Sequence, residues 1–325
     1  IAALPKGTYA NVMQLDGYDD NVTLAVELEI RDDCLVADFE GTSPASPFGI
    51  NVPIGYTRAY ACYGLKCVIA PDVPNNTASL SPFLAKAPEG CILNAPRPYP
   101  VSVRHVIGQL LPDLMMGCLS QAVPERVAAE GSSCLWNPPL RGGSQVSGQK
   151  ARLPDFEIIS FNSGGTGARA TKDGLSGIAF PSGVRTMPVE ATENVAPVIF
   201  WTKELRPDSA GAGKTRGGAG QIMVIGTKGD AEFAVNAIFD RVANAPKGRF
   251  GGGNGAAGAV LLDDGTVLRT KGFQTIAEGR RLVLHLPGGG GMGDPRERDP
   301  SLVKDDVADG LVSREAAARL YGVTV

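Results

Sequence analysis

The sequence predicts an α+β protein. A mixed α/β first half with an antiparallel hairpin precedes a glycine-rich all-β second half, sandwich or barrel-like, and a short helical carboxy-terminal tail. Three observations carry this. Residues 22–40 alternate apolar and polar positions with period two. Residues 57–69 and 101–123 carry helical apolar patterns, the second with spacings of three and four. From about residue 150, short apolar runs alternate with glycine turns and no long helix intervenes. The texture divides the chain into an α+β domain at 1–150, a glycine-rich β domain at 151–298 and a helical tail at 299–325.

In chain order, Val22, Leu24, Val26, Leu28 and Ile30 alternate with Thr23, Ala25, Glu27 and Glu29, the pattern of a half-buried strand. Arg31-Asp32-Asp33 reads as a turn, and Leu35, Ala37 and Phe39 line one face of a second strand over 34–40. Residues 57–69 carry apolar side chains at most of their positions, which predicts a helix buried on most sides and ended by Pro71. Val103, Ile107, Leu110, Leu111, Leu114 and Cys118 form one stripe of a longer helical pattern over 101–123. Pro112 should kink or break it, since an interior proline costs about 3 kcal/mol. Seven strand-like runs follow, at 156–161, 195–201, 221–225, 232–239, 259–262, 266–269 and 281–286. Asp263-Asp264-Gly265 makes a hairpin turn between two of them. Asp299-Pro300 is an N-cap with proline at the first helical position, and Ser313 caps a last helix carrying Ala316, Ala317 and Leu320.

Composition removes several function classes. With 31 basic and 34 acidic residues, net charge −3, the chain has no basic footprint for nucleic acid. No apolar stretch reaches the eighteen or so residues of a membrane helix, and the opening Ile1-Ala2-Ala3-Leu4-Pro5-Lys6-Gly7 is not a signal peptide. The first residue is not Met, which indicates processing or a piece of a longer protein. Cys34, Cys62, Cys67, Cys91, Cys118 and Cys134 include no C-x-x-C pair, so zinc and thioredoxin-like chemistry have no support. Free, mostly buried thiols in the cytoplasm are expected. Forty-two glycines and twenty-four prolines point to tight turns and to backbone that approaches something closely.

Asp208-Ser209-Ala210-Gly211-Ala212-Gly213-Lys214-Thr215 stops one residue short of a P-loop. Asp208 stands where that loop needs glycine, and its carboxylate would repel phosphate. Glycines, not a helix, follow at Gly217, Gly218 and Gly220. A structural glycine turn is the expectation. Asn162-Ser163-Gly164-Gly165-Thr166-Gly167-Ala168 resembles an anion cradle after a strand, but it lacks the third glycine and the acidic residue of a dinucleotide motif. Only His105 and His285 are present. His285 falls within a strand. Arg104, His105 and Gln109 gather at a helix start, with 105 and 109 one turn apart on one face. No nucleophile elbow, H-E-x-x-H or EF-hand pattern occurs.

Several ordered segments resemble the hydantoinase B/oxoprolinase family, specifically its carboxy-terminal portion. They include Phe39-Glu40-Gly41-Thr42-Ser43, Ile50-Asn51-Val52-Pro53, Pro71-Asp72-Val73-Pro74-Asn75-Asn76 and Arg104-His105 with Gln109. Asp173-Gly174-Leu175-Ser176-Gly177, Phe180-Pro181-Ser182-Gly183, Pro207-Asp208-Ser209 and Arg216-Gly217-Gly218 continue the likeness, and Pro287-Gly288-Gly289-Gly290-Gly291 closes it. The resemblance implies a subunit of an ATP-dependent cyclic-amide hydrolase of hydantoinase, 5-oxoprolinase or lactamase type, inactive alone. The implied partner is a hydantoinase A-type subunit that binds ATP and Mg2+, which phosphorylates the amide oxygen. Relatives of the same architecture carboxylate acetone or acetophenone, so a ketone carboxylase component is the alternative, and a non-catalytic scaffold is a third reading. Arg104, His105 and Gln109 are then the candidate catalytic residues. Asn75, Asn76, Gly164 and Gly165 are candidates for substrate binding. No metal ligand is assigned in this chain. The resemblance implies that any divalent metal sits in the family's amino-terminal part, which has no counterpart here and would be a further partner.

Overall fold

The computed structural model describes residues 1–178 and 180–325. The chain forms two compact units: residues 1–129 with 169–171, and residues 130–168 with 172–325.

In the first unit, β1 (Gly7–Leu15), β2 (Val22–Ile30), β3 (Leu35–Asp38) and β4 (Phe83–Lys86) form one sheet in that order. The first three run antiparallel; β4 lies parallel to β3. The expected hairpin is β2–β3. Its alternation sets its facing: Leu24, Val26, Leu28, Leu35 and Ala37 are buried, while Glu27 is exposed. A parallel neighbour requires a crossover, and helix α1 (Ile54–Ile69) lies in that connection. Thr57, Ala61, Leu65 and Val68 give α1 one buried face, and Arg58, Ala59 and Tyr63 are exposed. Burial on most sides, expected from apolar count, is therefore corrected: much of that count was tyrosine, alanine and cysteine on the outer face. Gly64 lets α1 approach the helix Leu111–Leu119, since a Cβ there would lie 2.6 Å from Pro112 Cα.

The long helical pattern resolves into two helices, His105–Gly108 and Leu111–Leu119. The break precedes Pro112. The proline sits in the first turn of the second helix, where its missing N–H leaves no bond unmade.

The second unit holds two four-stranded sheets, ordered β11-β9-β5-β6 and β10-β12-β8-β7. Their strands are β5 (Pro139–Gly142), β6 (Phe156–Ile159), β7 (Val198–Leu205), β8 (Gln221–Thr227), β9 (Phe233–Ile238), β10 (Ala259–Leu262), β11 (Lys271–Ile276) and β12 (Leu282–His285). All pairs are antiparallel. Neither sheet closes into a barrel; both contribute to one core, with Leu140, Phe156, Val198, Ile225, Phe233, Val260 and Leu284 gathered with Trp136. β5 belongs to this unit although it precedes residue 150. The run at 266–269 is no strand: it makes one bridge, Leu261 to Val267, and the ladder forms at β11 instead. The run at 195–201 begins at the end of a helix, Val189–Val195, and Pro197 separates that helix from β7.

The glycines of this unit pack backbone against backbone. The amides of Gly288, Gly289, Gly290 and Gly291 donate in turn to the carbonyls of Ala256, Gly218, Glu130 and Gly253. The partner segment returns after three residues, the rotation of an extended three-residue-per-turn chain. A Cβ on Gly289 would sit 1.9 Å from the Thr166 carbonyl oxygen, and one on Gly217 would sit 2.0 Å from that of Gly289.

The tail forms as the capping residues predict. Asp299 accepts from the Ser301 amide ahead of the helix Pro300–Ala308, and Ser313 accepts from the Ala316 amide. Val303, Val312, Ala316, Ala317 and Tyr321 pack on Ala212. Arg298 grips Asp173 through two 2.8 Å bonds and Asp306 through a third, and Arg216 bonds Asp306 from the other side. Burial alone would raise the Asp173 carboxyl; Arg298 and Arg216 together outweigh it and hold the group below its usual range.

Candidate functional site

Arg104, His105 and Gln109 are neighbours on and beside one short helix of the first unit, and Arg104 and Gln109 reach a residue not singled out from the sequence. Tyr56, in the first turn of α1, has Arg104 over its ring at 5.6 Å, a cation–π distance. Tyr60, one helical turn on, stacks on it with ring centroids 4.5 Å apart and planes 11° apart, and Gln109 hydrogen-bonds the Tyr56 phenol. Gly108 makes the room: a Cβ there would fall 2.3 Å from the Tyr56 ring. The signal for this was present as a tyrosine pair at i and i+4. Counting tyrosine as core material concealed it.

The groups differ in electrostatic state. Burial, with a hydrogen bond to Tyr60 next in weight, pushes the Tyr56 phenol well above its ordinary value, so it stays protonated. Burial and then the Arg104 charge hold the His105 imidazole below 6.5, so it is neutral at physiological pH. Gln109 is 3% exposed. Its Oε1 is buried with no hydrogen-bond partner, and so is Nε2 of His105. Unsatisfied buried polar atoms are uncommon in native folds and call for a partner. An N–H donor would satisfy Gln109 Oε1, and a carbonyl oxygen would suit a guanidinium such as that of Arg104.

The remaining candidates lie elsewhere. Asn76 is the N-cap of the short helix Thr77–Leu80, its Oδ1 accepting from the Ser79 amide at 2.9 Å. Asn75 lines a cavity at the far end of α1. Gly164 and Gly165 are buried in the second unit's glycine packing, where the Gly165 amide donates to Pro287 and those of Thr166 and Ala168 to Leu175 and Gly290. The P-loop lookalike is likewise committed to the fold. The Gly211 amide donates to Gly289, those of Lys214 and Thr215 to Gly293 and Met292, and Asp208 accepts from the Ser313 amide. Its lysine pairs with Glu297 at 3.2 Å. Among the described residues no cluster of three or more His, Cys, Asp or Glu side chains is placed to hold a metal ion. No helix among them is long and apolar enough to cross a membrane. All six cysteines are free thiols.

A family model described as hydantoinase B/oxoprolinase matches residues 1–295. The chain belongs to the hydantoinase B/oxoprolinase family. Within it, the chain is 30% identical to a putative D-/L-hydantoinase subunit from a Pseudomonas species over 346 residues, covering all of this chain and 57% of that protein. Its fold matches the crystal structure of an ATP-dependent caprolactamase from Pseudomonas jessenii with a TM-score of 0.88 at 25% identity, over 100% of this chain and 58% of that one. An acetone carboxylase in its nucleotide-free form shares the fold with a TM-score of 0.80 at 20% identity, over 99% of this chain and 50% of that one. The chain thus spans 50–58% of the length of these three relatives, and the likeness runs along its whole length.

Proposed function

We propose that this chain is part of a subunit of an ATP-dependent enzyme that opens cyclic amides, working with a separate hydantoinase A-type subunit that binds ATP and Mg2+. The observation that carries the reading is the fold match along the entire chain to a caprolactamase, joined to the sequence match with a hydantoinase subunit. Chemistry at the Arg104 cluster supports it. A neutral imidazole, a protonated phenol, a guanidinium and an empty amide acceptor suit recognition of an uncharged amide. They offer no protein nucleophile; once the partner's ATP has phosphorylated the amide oxygen, water is the nucleophile, its oxygen bonding to the carbonyl carbon as the C–N bond breaks and phosphate leaves. Arg104 would face the carbonyl oxygen, Gln109 the ring N–H, and His105 the proton that moves as the ring opens.

The acetone carboxylase likeness favours a second reading, a component of a ketone carboxylase, on fold alone. ADP release by the reconstituted complex separates the two: a cyclic amide drives it under the first reading, a ketone with bicarbonate under the second. Arg104→Ala and His105→Ala should each abolish cyclic-amide-dependent ADP release. Unchanged turnover in both folded variants would remove these residues from the site.

A further inference from the structure

Helix α1 ends beside a cavity of about 280 Å³ lined by Tyr63, Lys66, Cys67, Pro71 and Asn75. Lys66 is only 5% exposed. Its ammonium donates to the carbonyl oxygens of Ala70, at 3.0 Å, and Val73. Among the described residues the third N–H has no acceptor, and no carboxylate lies within ion-pairing distance of it. The two carbonyls and the negative end of the helix soften the charge without cancelling it. Buried lysines are otherwise almost always paired. The thiol beside it does not supply the anion: burial pushes Cys67 up, against the opposing pull of Tyr63 and Lys66, and the thiol remains neutral.

We propose that this cavity binds the carboxylate of a small aliphatic acid, with Lys66 as its charge partner and the Asn75 amide as a second donor. One cation balances one negative charge, so a monoanion fits where the second charge of a phosphate would be left unbalanced. The ring of Tyr63 and the face of Pro71 form apolar walls suited to a short hydrocarbon tail. The site is separate from the Arg104 cluster and does not depend on the reaction assigned there.

Cys67 reports occupancy. Iodoacetamide alkylation of Cys67 in the full chain, followed by peptide mass spectrometry at mildly alkaline pH, is compared in butyrate and in butyramide at equal ionic strength. A charge-assisted bond predicts that butyrate protects Cys67 at about tenfold lower concentration than its neutral amide. Lys66→Met should erase that preference, and Asn75→Ala should weaken it. The wild-type comparison stands even if Lys66→Met fails to fold. Equal protection by butyrate and butyramide, no protection by either, or a preference that persists in folded Lys66→Met would overturn the proposal.

Discussion

Gln109 is the residue whose role is most open to test. Its Oε1 is buried without a partner, which costs a fold about 1–3 kcal/mol. Gln109→Met keeps the volume and removes the empty acceptor, along with the hydrogen bond from Gln109 to the Tyr56 phenol, so the two changes offset. Thermal unfolding of this variant should show unchanged stability or a gain of about 1 kcal/mol, while cyclic-amide turnover is lost. A large loss of stability would instead mark Gln109 as a packing residue. His105 gives a second prediction. Its folded value, like that of His285, is depressed by burial and a neighbouring arginine, Arg104 and Arg206 respectively. The unfolded chain therefore binds protons that the folded chain refuses. The associated stability is present above the unfolded value of about 6.5 and is lost as pH falls toward the folded ones. The unfolding midpoint should drop between about pH 7.5 and 5.5, and His105→Gln should flatten part of that slope. An identical slope in the variant would show that His105 titrates normally.

At the scale of elements, legibility followed length and periodicity. The β2–β3 hairpin was readable because five alternating positions, Val22 to Ile30, face one core. β4 and β5 were not: β4 turns apolar Leu84 out to solvent, which spoils its alternation, and β5 begins on a proline and ends on a glycine. β1 was missed for a different reason: only Met13 and Leu15 of its nine residues are buried, as befits an edge strand. β11 is broken by Gly272 at positive φ and has Phe273 exposed, so its apolar residues fall on the wrong period. The glycine segments announced close backbone approach by composition, but not their partners, because glycine carries no side-chain pattern to read. Gly289 tests that packing. Gly289→Ala places a methyl 1.9 Å from the Thr166 carbonyl oxygen and against the rest of the Thr166–Gly167 peptide, which is backbone and cannot swing away, and should cost about 4 kcal/mol or more. Urea unfolding or loss of soluble expression would register it. Gly183→Ala, at an open turn with nothing within 4 Å, meets only the strain of its +68° φ and should be markedly milder. Equal effects of the two would argue against the backbone packing.

For the whole molecule, the ordered family segments said more than composition or single motifs. The P-loop lookalike and the glycine cradle were legible as strings of residues, yet the fold spends their amides on its own backbone. The Arg104–His105–Gln109 grouping was visible from helical spacing. Tyr56 and Gly108, which complete it, come from a different segment about fifty residues away or sit unremarked between the named residues, and only the packing of α1 against them brings the set together. The chain covers 57% of the hydantoinase subunit and 58% of the caprolactamase chain it resembles, so the activity proposed for it is that of an assembly. The decisive measurement is ring-opened product formed from a cyclic amide by the purified assembly of this chain with its ATP-binding partner, followed with and without ATP and with this chain left out. Product should accumulate in step with ADP and vanish when either ATP or this chain is omitted. Ring opening that proceeds without ATP, or ADP formation that requires a ketone and bicarbonate in place of the amide, would contradict the proposed role.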